Sequence, residues 1–284
     1  VHQSPPSIGV AFADFSPTRA VGNPAAPFFV RNQCVAKPKV ELSSVPSFDT
    51  HGPMSSCETC VVRNRAICAG LEAQELGALA SMGRRRSVAA GEPLIWEDDD
   101  SLVVANVIDG VLKLTTSTED GREQIVGVAY PSDFIGRPFG QTSRASVVAL
   151  TDARVCVFAR NDFDRFARDH PELEHKLLER TLAELDRTRA WMMLLGRKTA
   201  SEKIATFLLD MSDRFGEIGC APRMMPARRF ALPFSRQQVA DLLGLTIETV
   251  SRQFTRLKDD GVIALPSRRE VEVLDRRALI ALAG

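Results

Sequence analysis

The sequence predicts an α+β fold, on three observations. Short β-rich runs fill residues 86–160, a long helical stretch follows them, and two short capped helices with a hairpin close the chain. The runs LIWE, VVANVI, VLKLTT, QIVGVAY, SVVAL and RVCVFA alternate with turns at AAGE, IDG and EDGR. Several short strands at such spacing make a β-sandwich or a barrel-like roll. From Asp162 the period becomes helical, and ELEHKLLERTLAELDRTRAWMMLL runs without a Pro or Gly up to Gly196.

The C-terminal elements are read from their caps. TASE has the form of a capping box, with Thr199 as N-cap and Glu202 three residues on. Ser235 and Gln238 form a second box, opening a helix that ends at Gly244. Thr246 caps the next, which stops at Gly261. Two short helices joined by a tight turn read as a helix-turn-helix, or as an ordinary αα-hairpin. The segment VIALPSRREVEVLD can turn near Pro266–Arg268 as a β-hairpin, and that addition makes a winged helix. In this reading the N-terminal residues of the second helix touch base edges in the major groove. These are Thr246, Glu248, Thr249, Ser251 and Arg252. Arg252 suits a bidentate contact with guanine, and Glu248 could accept from cytosine N4. Arg256 and Lys258 lie further along and suit phosphates.

Bulk numbers bound the rest. The chain has 284 residues, 44% apolar and 25% charged, ordinary for a globular protein of two domains or more. No run approaches the roughly 18–20 apolar residues of a membrane span. A basic segment leading an apolar stretch is missing at the N-terminus, so a cytoplasmic protein with reduced thiols and no membrane partner is expected. The 36 basic and 36 acidic residues cancel. From Ala221 to Gly284 eleven Lys/Arg face seven Asp/Glu, compatible with nucleic acid.

The expected organisation is a flexible Pro-rich tail over 1–53, holding eight of the sixteen prolines, then a cysteine loop over 54–70. A sensory β domain over 71–170 begins with a short helix at 71–82. A helix over 171–196 and the DNA-binding domain over 197–284 complete it. As heptads, one seam of the long helix carries Leu178, Leu185 and Met192 at one position and Thr181, Thr188 and Leu195 at the other. Such a stripe forms a two-helix coiled coil or packs on its own β domain.

The loop SSCETCVVRNRAIC places Cys57, Cys60 and Cys68 within twelve residues. In a reduced compartment clustered cysteines read as metal-binding or redox-active. The trio alone suits an iron–sulfur cluster or zinc, although structural zinc sites usually show two close pairs. Cys156, taken alone, is a small hydrophobe in a strand. A thiol oxidoreductase built on Cys57 and Cys60 lacks the βαβ setting it needs. No constellation suggests catalysis, so the chain is not expected to be an enzyme. Cys34 and Cys220 have no ligand context.

From about residue 55 to 284, the order of β-roll, long helix and winged helix resembles the Crp/Fnr family, that of the cyclic-AMP receptor protein and the fumarate-and-nitrate-reduction regulator. The motif GLTIETVSRQFTRL carries Glu248, Ser251 and Arg252 in the E-x-x-S-R pattern of the oxygen-sensing branch. The resemblance implies a double-stranded β-helix like that of cyclic-nucleotide-binding domains, and a homodimer joined by the long helix. It also implies a double-stranded DNA operator of the form TTGAT-N4-ATCAA and RNA polymerase as a partner, through the EDGREQ turn. It further implies a [4Fe–4S] cluster on Cys57, Cys60, Cys68 and Cys156, the last standing where that branch has its distant ligand. The protein would then be an oxygen-sensing activator of anaerobic or microaerobic genes. Cyclic-nucleotide binding is the rival within the family. The relevant stretch has Gly136 followed by Arg137 and Pro138, and Arg144 followed by Ala145, so the carboxylate expected for the ribose is missing. A haem sensor lacks an evident His in the roll.

Overall fold

The computed structural model describes residues 57, 59–100, 102–217 and 226–284. The tail expected over 1–53, and Cys34 and Cys220, lie outside the described residues. The cysteine loop leads into a 3-10 turn, Ile67–Gly70, and helix α1, Ala73–Met82. Glu72 and Glu75 exchange the two hydrogen bonds of a capping box at the start of α1.

Eight strands follow: β1 Arg84–Val88, β2 Pro93–Ile95, β3 Val103–Asp109, β4 Leu112–Ser117, β5 Glu123–Ala129, β6 Phe134–Ile135, β7 Ser146–Ala149 and β8 Ala153–Ala159. They form two four-stranded antiparallel sheets, ordered β1-β8-β3-β6 and β2-β7-β4-β5. Val88, Ala105, Val107, Leu112, Val147 and Val155 fill the roll between them. Gly110 ends β3 at φ +84, where a Cβ would stand 2.5 Å from the Asp152 carbonyl oxygen. A side chain there is excluded by backbone.

Helix α2, Arg160–Asp169, and helix α3, Pro171–Arg197, close the roll, with Pro171 at the first turn of α3. Leu173 and Leu177 of α3 turn inward against Ile67, Leu71, Phe163 and Phe166. Helix α4, Ala200–Glu217, opens on the expected box, with Thr199 N–H donating to Glu202 Oε2 at 2.6 Å. Strand β9, Arg229–Ala231, precedes α5, Arg236–Leu243, and α6, Ile247–Asp259. Gly244 sits in the left-handed region at φ 60, ending α5 as expected. Strands β10, Ile263–Ala264, and β11, Glu270–Val273, form the hairpin, and α7, Arg276–Ala283, lies last.

Four elements were not anticipated. β1 is RRRSV, whose arginines conceal a strand that pairs along β8. β6 is two residues long. β9 adds a third strand to the wing, giving the order β10-β11-β9. α7 is announced only by Asp275, whose side chain caps Ala278 N–H.

Candidate cysteine centre and nucleic-acid interface

The loop is built from consecutive turns. Cys60 N–H donates to Cys57 O, Arg63 N–H to Cys60 O, and Ala66 N–H to Val62 O at 2.8 Å. The turns hold the backbone without a sheet partner and aim Val62, Ala66 and Ile67 inward, all buried. Cys156 comes from β8, opposite Arg85 of β1 on one side and Asn106 of β3 on the other. All four predicted cysteines line one cavity, walled by Val62, Ala66, Leu76, Leu79, Ile108 and Phe158. Arg63 and Asn106 are the two other polar residues on it. The fold thus joins residues nearly a hundred positions apart. Among the described residues no group of three or more His, Cys, Asp or Glu stands at metal-holding spacing, so the sulfurs share a cavity without being gathered to ligating distance.

Burial pushes the Cys156 thiol up to about 12, and the sulfurs of Cys57, Cys60 and Cys68 add to the rise. Burial likewise lifts Cys68 to about 11, while the Cys68 thiol leans on the Arg63 carbonyl at 4.0 Å. Cys156 and Cys68 therefore rest as neutral thiols at pH 7. Only a cationic centre would draw the protons off, since a bound metal inverts this order. Four soft donors, with no carboxylate or imidazole among the described residues lining the same cavity, fit an iron–sulfur cluster or zinc. A further feature fits a polar or ionic group there. Asn106, 3% exposed, carries an Oδ1 with no hydrogen-bond partner. Sequence reading missed Asn106, although a lone amide inside VVANVI was the available signal.

At the other end of the chain α6 divides cleanly. Val250, Phe254 and Leu257 are buried against the domain core, one face of a 3.6-residue period. Glu248, Ser251, Arg252 and Arg256 are exposed on the opposite face. Thr246 accepts from Thr249 N–H at 3.2 Å and shares a hydroxyl–hydroxyl bond with Thr249, so both hydroxyls are engaged in the cap. Backbone N–H donation and the Thr246 hydroxyl hold the Glu248 carboxyl below its usual range. Arg256 Nε lies 3.7 Å from Asp260, an exposed pair that a phosphate could displace. Arg236, stacked 3.5 Å over Phe254, pins α5 to α6.

Between these sites the seam of α3 does not pack on the roll of its own chain. Leu178, Leu185 and Met192 are exposed, as are Leu182 and Met193 beside them. Thr181 and Thr188 donate their hydroxyls back to the carbonyls of Leu177 and Glu184. Leu195 differs from the others, being half-buried against the C-terminal core.

Residues 202–282 match the Crp-like helix-turn-helix domain family, and residues 85–170 match the cyclic nucleotide-binding domain family. The chain is 46% identical over 228 residues to the transcriptional activator protein FnrL of Cereibacter sphaeroides, covering 80% of this chain and 92% of that one. It is 40% identical over 228 residues to the nitrogen fixation regulation protein FixK of Bradyrhizobium diazoefficiens, covering 80% and 94%. The solved structure of FixK2 from Bradyrhizobium japonicum superposes with a TM-score of 0.64 at 33% identity, covering 71% of this chain and 98% of that one. With a β-roll, a long helix and a winged helix-turn-helix in this order, the chain belongs to the Crp/Fnr family of DNA-binding transcription regulators.

Proposed function

We propose that this regulator is an oxygen-responsive activator. In this reading it dimerises through α3, holds a [4Fe–4S] cluster on Cys57, Cys60, Cys68 and Cys156, and binds a TTGAT-N4-ATCAA-like palindrome. The observation that carries the reading is the shared cavity, where three cysteines of one loop meet a fourth from β8. The identity to FnrL supports it. Bound there, the cluster supplies an oxygen-labile cross-link between loop and strand. The chain's own residues do the rest. Ile67 and Leu71 of the tethered loop seat on Leu173 and Leu177 and fix the first turns of α3. The exposed leucines and methionines of the seam then meet their copies. Two α6 helices are thereby set about one DNA turn apart, roughly 34–36 Å. Arg252 and Glu248 read bases and Arg256 holds phosphate. In the turn Glu119–Gln124, residues Glu119 to Glu123 are exposed and available to RNA polymerase.

Anaerobic purification followed by iron and sulfide assay and an absorbance spectrum before and after air tests this reading. Four iron and four sulfide per chain, a colour lost in air and operator affinity lost with it are expected. A zinc-loaded or colourless protein with the same affinity before and after air would overturn it, and would favour a regulator answering another small ligand. Cys156→Ala should abolish the oxygen dependence while leaving a folded chain; a normal response in that variant removes Cys156 from the ligand set.

A further inference from the structure

We infer that Asn106 is a positioning residue of the cysteine centre, its carboxamide donating an N–H to the ligated sulfur. The inference rests on the iron–sulfur reading above and adds a residue to it. Strand β3 is buried almost throughout, and Val104, Ala105, Val107 and Ile108 around Asn106 are all apolar. Asn is a poor strand former, and packing alone would be served better by a β-branched residue. Asn106 is nonetheless 3% exposed with an unpartnered Oδ1, in a class of groups that native proteins satisfy almost without exception. The fold gains nothing from it.

Its place explains it. Asn106 stands directly opposite Cys156 in the β3–β8 ladder, and opposed residues project on the same face with Cβ atoms about 4.5–5.5 Å apart. Both line the cavity that Cys57, Cys60 and Cys68 also line. A carboxamide presents either its oxygen or its two N–H donors by a half-turn of its last torsion. Thiolate and sulfide are acceptors, so a ligated centre selects the donor side. Such bonds orient the ligand and shift the potential of the cluster. Arg63 cannot substitute as a buried neutral donor: its side chain is charged and only part-buried, and it is the Arg63 carbonyl that faces Cys68.

The test compares wild type, Asn106→Leu and Asn106→Thr, each reconstituted without air from ferrous iron and sulfide. Leu keeps the branched shape and removes every polar atom, whereas Thr restores one donor. Metal-free Asn106→Leu should melt at or above wild type, because a buried unsatisfied group has gone. Loaded Asn106→Leu should yield iron to a colorimetric ferrous chelator about tenfold faster, the lower end of the usual 10–100-fold effect of losing such a partner. Its Fe–S stretching frequencies should shift, with Asn106→Thr between the two. Equal iron release in wild type and Asn106→Leu overturns the inference. Faster release together with a lower metal-free melting temperature makes Asn106 a packing residue and also overturns it. Wild type that takes up no cluster sinks the iron–sulfur reading itself, and this inference with it.

Discussion

Changing Leu185 to Glu tests the seam of α3. Leu185 keeps 43% of its surface exposed in the single chain. Full burial of a leucine is favourable by about 1.5–3 kcal/mol, so covering that remainder contributes about 0.6–1.3 kcal/mol. A symmetric pair counts it twice, which gives about 1.3–2.6 kcal/mol per dimer, or roughly ten- to eightyfold in the dimer dissociation constant. Two glutamates facing each other across the axis add repulsion. Sedimentation equilibrium on protein prepared without air should therefore show Leu185→Glu dissociating at least tenfold more readily than wild type. Ala183→Glu, two positions away on the outward face of the same helix, should change nothing. An unaltered dissociation constant for Leu185→Glu would refute the assignment of this seam as the interface.

Arg252→Ala should cost about 1–3 kcal/mol on the specific operator and relax preference at one base pair, whereas Arg256→Ala should weaken all sequences alike and reduce the salt slope by about 1. Titrations on specific and scrambled duplexes separate the two, and uniform weakening by Arg252→Ala would make it a phosphate contact. Ile67→Ala removes a side chain that is 0% exposed and should loosen the loop by about 2–5 kcal/mol. Hydrogen exchange should accelerate at Ala66–Leu71 and stay unchanged in the wing, and unchanged exchange in the loop would refute the packing argument. A Cβ at Gly83 would stand 2.6 Å from Phe158 Cε1 and 3.2 Å from Cys156 Sγ. Gly83→Ala should overpack that corner by about 1–3 kcal/mol and lower Tm by about 2–10 °C; an unmoved melting curve shows that the ring gives way freely.

The caps were the most legible part of the sequence. Ser235, Gln238, Gly244 and Thr246 mark α5 and α6 because each answers a local demand of a helix end, which neighbouring residues express without tertiary help. β1 was hidden for the opposite reason. Arg84–Arg86 become a strand because β8 supplies the ladder, a partner some seventy residues distant. The cysteine trio was visible as spacing, but its convergence with Cys156 depends on the register of β8 between β1 and β3. That register is also what faces Asn106 toward the same cavity. No local pattern records it.

Two linkages leave the roll, and their positions indicate where a signal can pass. Toward α3, the loop offers Ile67 and Leu71 against Leu173 and Leu177, a wholly apolar contact. Releasing one such side chain to water costs about 1.5–3 kcal/mol, already the 1–3 kcal/mol that a five- to 150-fold change in affinity requires. Toward the DNA-binding domain, Val111, Ile125, Tyr130 and Leu150 of the roll are buried in one apolar core with Phe207, Leu208 and Met211, Gln124 Nε2 donates to Asp241 O at 2.6 Å, and Arg214 lies 4.5 Å over the Tyr130 ring. None of these residues lines the cysteine cavity, whereas Ile67 adjoins Cys68 in the loop itself. A loop that comes free therefore acts first on the start of α3 and on dimerisation, and only through the dimer on the spacing of the two α6 helices. The order is testable. If oxygen reaches α6 through the Gln124 contact instead, Gln124→Ala will erase the oxygen response while the dimer constant still shifts with air. If it travels through α3, Gln124→Ala will leave the response intact.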